Sequence, residues 1–293
     1  MVLGATYGLI ALGYTMVYGI VRLINFAHGE VFMVGAFGGL TLYNWLPTSM
    51  QEHAWVALPL MIIFAAGVAV ALALLIERIA YRPLRTASRL APLITAIGVS
   101  IFLQEAVRLY YPKAKSARPF PRLLPSGAID LGGVSIQYTS LFVIVVALVL
   151  MVGLQTFVRT SQTGKAMRAT SQDPDTAKLM GINTDRIIVI TFAIGAALAG
   201  VAGVMHGMRF TQIDFRIGFI AGLKSFTAAV LGGIGNLTGA VMGGFLLGLI
   251  EAMATQYIPG GSKYKDVWAF VVLIGLLVFR PNGLLGDKTR ARA

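Results

Sequence analysis

The amino-acid sequence predicts an all-α polytopic membrane protein with eight or nine membrane helical elements. Three observations carry this expectation. Of the 293 residues, 57% are hydrophobic and only 12% charged, with a mean hydropathy of +0.78, whereas a soluble domain carries roughly a quarter charged residues. The apolar residues arrive in blocks of about 20, enough for a helix to cross a hydrocarbon layer of roughly 30 Å. The polar segments between these blocks are too short to fold alone, so residues 1–293 read as one transmembrane domain.

The first block, Met1–Ile24, is almost wholly apolar apart from Arg22. It has neither a basic leader nor a small-residue cleavage site, so it reads as a first span and not as a signal peptide. A polar hexapeptide, Asn25-Phe26-Ala27-His28-Gly29-Glu30, then interrupts the apolar run before Val31–Leu46 resumes it. An unpaired backbone or ionisable group in hydrocarbon costs several kcal/mol. The hexapeptide is therefore either a turn at the membrane surface after Arg22 or a break enclosed by protein along a path. Further spans are expected at Trp55–Ile76, Leu90–Leu109, Tyr138–Val158 and Ile187–Gly207, with weaker ones at Gly218–Gly233, Gly239–Tyr257 and Val267–Phe279. The Gly-rich pair between 218 and 257 reads as two crossings or as a re-entrant hairpin.

The loops assign an orientation. Arg22, the arginines 78, 82, 85 and 89, the five basic residues of Arg159–Arg186, and Arg280, Lys288, Arg290 and Arg292 put fourteen cations on one side. Nine fall on the other. The positive-inside rule places the first set in the cytoplasm, with the C-terminus cytoplasmic and the loop 110–137 external. The same rule explains the formal charge of +12. No basic-aromatic module accompanies it, so nucleic acid is not an expected partner. The chain contains no cysteine, which excludes disulfides, zinc–thiolate sites and iron–sulfur clusters.

The longest cytoplasmic loop, 159–186, carries helix punctuation. Asp173 caps free N–H groups, Pro174 suits the first helical position and Gly181 terminates, enclosing about two turns with Ala177, Leu179 and Met180. Gly164–Gln172, including Arg168, reads as a preceding short helix. A connector needs only a few residues, whereas a short amphipathic helix on this face suits docking into a partner's groove. No nucleotide site is expected in the chain: Gly218–Ser225 and Gly233–Gly239 miss the phosphate-loop and dinucleotide spacings, and their glycines suit close helix packing. Any ATP must be held by another chain.

The polar residues within or beside spans are Asn25, His28, Glu30, Gln104, Glu105, His206, Lys224 and Glu251. Each suits either a structural pairing or a place on a path. They show no metal-ligand spacing, no nucleophile–base arrangement and no evident carboxylate-and-amine clamp, so an enzyme is not expected. Gly-rich interrupted segments occur near both ends, at Gly19–Gly39 and Gly222–Gly248, and paired broken segments often flank a permeation site.

Ala11–Gly19 followed by Ile24–Glu30 resembles the N-terminal signature of Liv-type permeases, the membrane subunits of ABC importers for branched-chain amino acids. Glu77-Arg-Ile-Ala-Tyr-Arg-Pro-Leu-Arg85, Gly181–Arg186 and Ala221–Gly235 agree with it. The pattern is closer to the H-type subunit than to the M-type, although family members carry a longer segment ahead of the first span. The resemblance implies an ABC importer permease fold, a second (M-type) permease subunit, two ATPase subunits and a periplasmic amino-acid-binding protein. It implies no cofactor bound by this chain, with ATP on the partners. Asn25, His28, Glu30, Glu105, Lys224 and Phe226 are the expected translocation residues. Gly164, Arg168, Asp173, Ala177, Met180 and Gly181 are expected to couple to an ATPase. The rival readings are a same-family permease for urea, amides or other neutral amino acids, and a secondary transporter or channel working alone.

Overall fold

A computed structural model describes residues 1–286 except 86, 89, 132–133, 259, 262 and 281–282. Arg89, Lys288, Arg290 and Arg292 of the charge count lie outside the described residues. Twelve α-helices are described: α1 (Val2–Val21), α2 (His28–Trp45), α3 (Thr48–Gln51), α4 (Ala54–Ile76), α5 (Leu90–Tyr110), α6 (Tyr138–Thr160), α7 (Gln162–Gln172), α8 (Pro174–Leu179), α9 (Thr184–Phe210), α10 (Ile217–Gly232), α11 (Leu237–Tyr257) and α12 (Lys265–Phe279). Six of these are long and apolar enough to cross a membrane: α1, α4 with its extension to Leu84, α5, α6, α9 and α11. Helices α2, α10 and α12 are shorter apolar elements. The Gly-rich pair is two separate helices joined at Gly233–Asn236.

Helices α1 and α9 form the centre and bury most of their residues. Helix α1 packs most heavily on α11 and α9, while α2 and α4 cover the rest of α9. Glycines allow this. A Cβ at Gly35 would lie 2.6 Å from the Cα of Gly200, and one at Gly203 2.7 Å from the backbone nitrogen of Ala36. Backbones in contact at these points gain dispersion energy that lipid cannot supply. Helices α4, α5, α6 and α12 instead turn Ile63, Phe102, Val149 and Phe279 outward, the expected surface of a membrane-embedded protein.

Two features have no counterpart in the sequence expectation. Residues 118–119 (β1) pair antiparallel with 212–213 (β4), and 128–131 (β2) with 134–137 (β3). These tie down the loop 110–137. Helix α4 also ends in a π-helical turn, Glu77–Tyr81. That turn brings three residues of the Glu77–Arg85 block into structural roles. The Tyr81 hydroxyl donates to Asn25 Oδ1 at 2.6 Å. Arg85 bridges the buried Glu77 and Asp185 at the start of α9. Replacing Tyr81 with phenylalanine removes one buried hydrogen bond and should lower stability by about 1 kcal/mol, read as a fall in thermal midpoint in detergent.

Candidate functional site

The hexapeptide is a buried break. Helix α1 stops at Arg22, which takes the left-handed conformation at φ 54° and donates its backbone N–H to Tyr18. A short non-helical stretch and a turn at Phe26–Ala27 follow, and α2 starts only at His28. The His28 ring faces Gly13, where a Cβ would collide with it, and lies 4.9 Å from the Tyr14 ring. Gly13 is nine residues before Arg22, so α2 begins roughly 13 Å in from the end of α1. Asn25, Ala27, His28 and Glu30 are all buried. The hexapeptide is thus enclosed by protein.

A second helix starts at the same depth. Strand β4 and residues 214–216 lead inward from the end of α9, and α10 opens at Ile217. Its first turns lie on the first turn of α2: a Cβ at Gly218 would lie 2.8 Å from the Gly29 carbonyl, and one at Gly222 3.0 Å from the Gly29 Cα. Helix N-termini carry free N–H donors and partial positive charge. Glu30, fully buried, stands in the first turn of α2 and against Gly218 in the first turn of α10. Ser100 of α5 donates to its Oε1 at 3.2 Å. The Glu30 Oε2 lies against Gly218 and accepts no hydrogen bond among the described residues.

Beside this junction, Phe226 of α10 packs on Phe26 and Tyr14, at ring distances of 5.5 and 6.0 Å. Lys224, 3% exposed, faces α1, α11 and α12. Its Nζ lies 2.7 Å from Glu251 Oε1, 2.6 Å from Asp266 Oδ1 and 3.3 Å from the Tyr7 hydroxyl. Tyr7 in turn donates to Glu251 Oε2 at 2.9 Å. A buried ammonium demands such partners, since an unpaired charge there costs several kcal/mol. This cluster forms the floor of a cavity of about 620 Å³ that also takes in His206 and Arg216.

The structure thus gathers His28, Glu30 and Phe226 at one junction, with Asn25 behind it on Tyr81 and Lys224 on the adjoining cavity. It does not bring Glu105 there. That side chain lies on the half-exposed surface of α5, where Arg108 Nε donates to it at 2.6 Å. The segment 222–248 is interrupted at 233–236, between α10 and α11, and a further break at 211–216, ahead of α10, is the one that meets the hexapeptide. Tyr7 and Asp266 escaped the sequence reading. A tyrosine in an apolar helix carries no signal of its own, and Asp266 is separated from Lys224 by more than 40 residues.

A family model described as the permease component of the branched-chain amino acid transport system matches residues 1–278. The chain belongs to this permease family. The high-affinity branched-chain amino acid permease protein BraD of Pseudomonas aeruginosa is 48% identical over 98% of the chain and 93% of its own length. The LivH permease of Escherichia coli K12 is 44% identical over 97% and 92%. A solved ABC transporter described as of metal-chelate type, in an inward-facing conformation, superposes with a TM-score of 0.50 at 19% identity, covering 95% of the chain and 86% of its own. That likeness concerns the fold alone.

In this permease α7 packs on α6, α1 and α9, and the shorter α8 follows it. Ser161 caps α7 by accepting from the Gly164 N–H at 2.9 Å. Gly164 itself is buried against the backbone of Val158, where a Cβ would collide, so it seats α7 on the end of α6. Arg168 donates to the Arg159 carbonyl at 3.2 Å. Asp173 caps α8 through the N–H groups of Asp175 and Thr176. Hydrogen bonds from the Thr176 hydroxyl and N–H hold its carboxyl below the usual carboxylate range. Gly181 takes φ +82°, which closes α8.

The faces of α8 differ from the sequence expectation. Ala177 is buried against the protein. Leu179 is 87% exposed and Met180 78% exposed. The outward apolar pair is therefore Leu179–Met180. A two-turn helix leaves either face plausible from sequence, and the close of α8, where Ile182 N–H reaches the Ala177 carbonyl, decides between them.

Proposed function

We propose that this chain is the membrane subunit of an ATP-driven importer for leucine, isoleucine, valine or similar amino acids. It works with a second permease subunit, two ATPase subunits that hold the ATP, and a periplasmic binding protein. The observation that carries this reading is near-full-length identity of 44–48% to permeases named for branched-chain amino acid transport. The capped helix α8 with its exposed Leu179–Met180 tip supports docking onto an ATPase, because two large apolar side chains in water favour a partner's groove. This puts α8 and the C-terminus in the cytoplasm and the β1–β4 side outside, in agreement with the distribution of basic residues. The meeting of two broken helices at Glu30 is the arrangement expected beside a translocation path. ATP binding moves the partners, α8 transmits that motion, and the bundle alternates between outward and inward access.

Substrate class is tested by competition. Labelled leucine uptake by cells expressing the complete system should be abolished by excess unlabelled leucine, isoleucine or valine and unaffected by urea. Competition by urea alone would transfer the protein to the amide branch. Docking is tested separately. The double variant Leu179→Asp, Met180→Asp should insert normally yet lose copurification with the ATPase and more than about 90% of uptake, since charges at an apolar hot spot cost several kcal/mol. Retained uptake would remove α8 from the coupling role.

A further inference from the structure

The cavity above Lys224 has a composition that the translocation reading does not by itself require. Its walls include Leu3, Phe210, Ile217 and Ile220, apolar side chains from three helices. Its charged groups are three cations, Lys224, Arg216 and Lys265, and three carboxylates, Glu251, Asp266 and Asp214. A balanced set of opposite charges around an apolar wall is matched by a ligand that is itself dipolar and partly apolar.

The hydrogen bonds decide which way such a ligand lies. Lys224 donates to Glu251 and Tyr7, and pairs by charge with Asp266, whose Oδ1 accepts no hydrogen bond among the described residues. Glu251 uses both oxygens, one on Lys224 and one on Tyr7. The lysine and Glu251 are buried and engaged with each other, at 3% and 4% exposed, whereas Asp266 is 41% exposed and its carboxylate has acceptor capacity left for a ligand. One ammonium against two carboxylates leaves the floor with a net negative charge. Asp214 is engaged elsewhere, since its Oδ1 accepts the Arg216 N–H at 2.7 Å. Arg216 and Lys265 supply the cations near the rim, and the Arg216 guanidinium lies over the Phe215 ring at 5.2 Å.

We infer that this cavity is a binding site for an aliphatic α-amino acid zwitterion, with the ammonium on Asp266, the carboxylate toward Arg216 and Lys265, and the side chain against Phe210, Ile217 and Ile220. The inference rests on the permease reading and names a place where substrate pauses in this subunit. It also supplies the carboxylate-and-cation pair that the sequence alone did not reveal, because its members come from α10, α11, α12 and the segment before α10.

The test uses the assembled transporter, permeases with ATPases, in detergent and without the binding protein. Binding of labelled leucine is read by scintillation proximity. The expected order of competition is leucine well ahead of isopentylamine, which lacks the carboxylate, and of 4-methylpentanoate, which lacks the ammonium, by about tenfold or more for each lost charged contact. Asp266→Asn should weaken leucine binding by at least a similar factor, and Asp266→Glu should restore part of it. Equal competition by isopentylamine would make this a cation site and overturn the proposal. Unchanged binding in Asp266→Asn, or no leucine binding by the wild type at millimolar concentration, would also overturn it. If Asp266→Asn fails to assemble, the order of competitors on the wild type decides alone. Uptake driven by the loaded binding protein is measured in parallel, so that loss of the site and failure of the permease reading are told apart: normal ATP-driven leucine uptake by a protein with no leucine site here leaves that reading standing.

Discussion

Replacing Lys224 with methionine should destabilise the protein by about 3–5 kcal/mol, the range for removing one partner of a buried ion pair. Glu251 and Asp266 would face each other without the ammonium that holds them 2.7 and 2.6 Å away, and Tyr7 would keep only its bond to Glu251. Methionine matches the length of the lysine stem, so the loss is electrostatic and not a cavity. The amount of folded protein recovered from membranes, and its thermal midpoint in detergent, should both fall sharply. The double variant Lys224→Met, Glu251→Gln should recover much of the loss, because the fully buried one of the two orphaned carboxylates is gone and Asp266 is partly exposed. A single variant as stable as the wild type would show that the cluster contributes nothing to folding.

The second large effect is steric. Gly29→Val places a Cβ 2.8 Å from the Cα of Gly222 and against the Gly218 carbonyl. Both obstacles are backbone, so neither can rotate away. Overpacking of this kind costs about 1–3 kcal/mol or more, and here it separates the first turns of α2 and α10, which pack on each other at this point. Folded yield should fall and uptake should fall further than yield. Gly67→Val is the control: nothing lies within 4 Å of a Cβ on that exposed face of α4, and both measurements should stay at wild-type values. Normal uptake in Gly29→Val would mean that the two helix starts need not touch.

What the sequence disclosed follows the reach of each signal. Apolar blocks located the membrane helices because hydrocarbon thickness fixes their length. Asp173, Pro174 and Gly181 located α8 because caps act within four residues. The buried break at 25–30 was visible as an interruption, yet its depth was not, since that depends on Gly13 and Gly218, residues of two other helices. The partition of α8 into buried Ala177 and exposed Leu179–Met180 likewise depends on how the segment returns to α9. The Lys224 cluster was half legible: Lys224 and Glu251 are conspicuous charges in apolar helices, whereas Tyr7 lies 244 residues from Glu251 and gives no local sign of the partnership. Glu105 misled for the opposite reason. A carboxylate in an apolar helix looks functional until Arg108, one turn on, is seen to hold it on the outer surface.

The central claim is that this permease moves amino acids only as part of an ATP-driven assembly. It is tested by leucine uptake into proteoliposomes holding the two permeases and the ATPases, with loaded binding protein outside and ATP sealed inside. The account predicts uptake that stops when the ATPases, the ATP or the binding protein is left out. Leucine accumulation by the permeases alone under an ion gradient would contradict it.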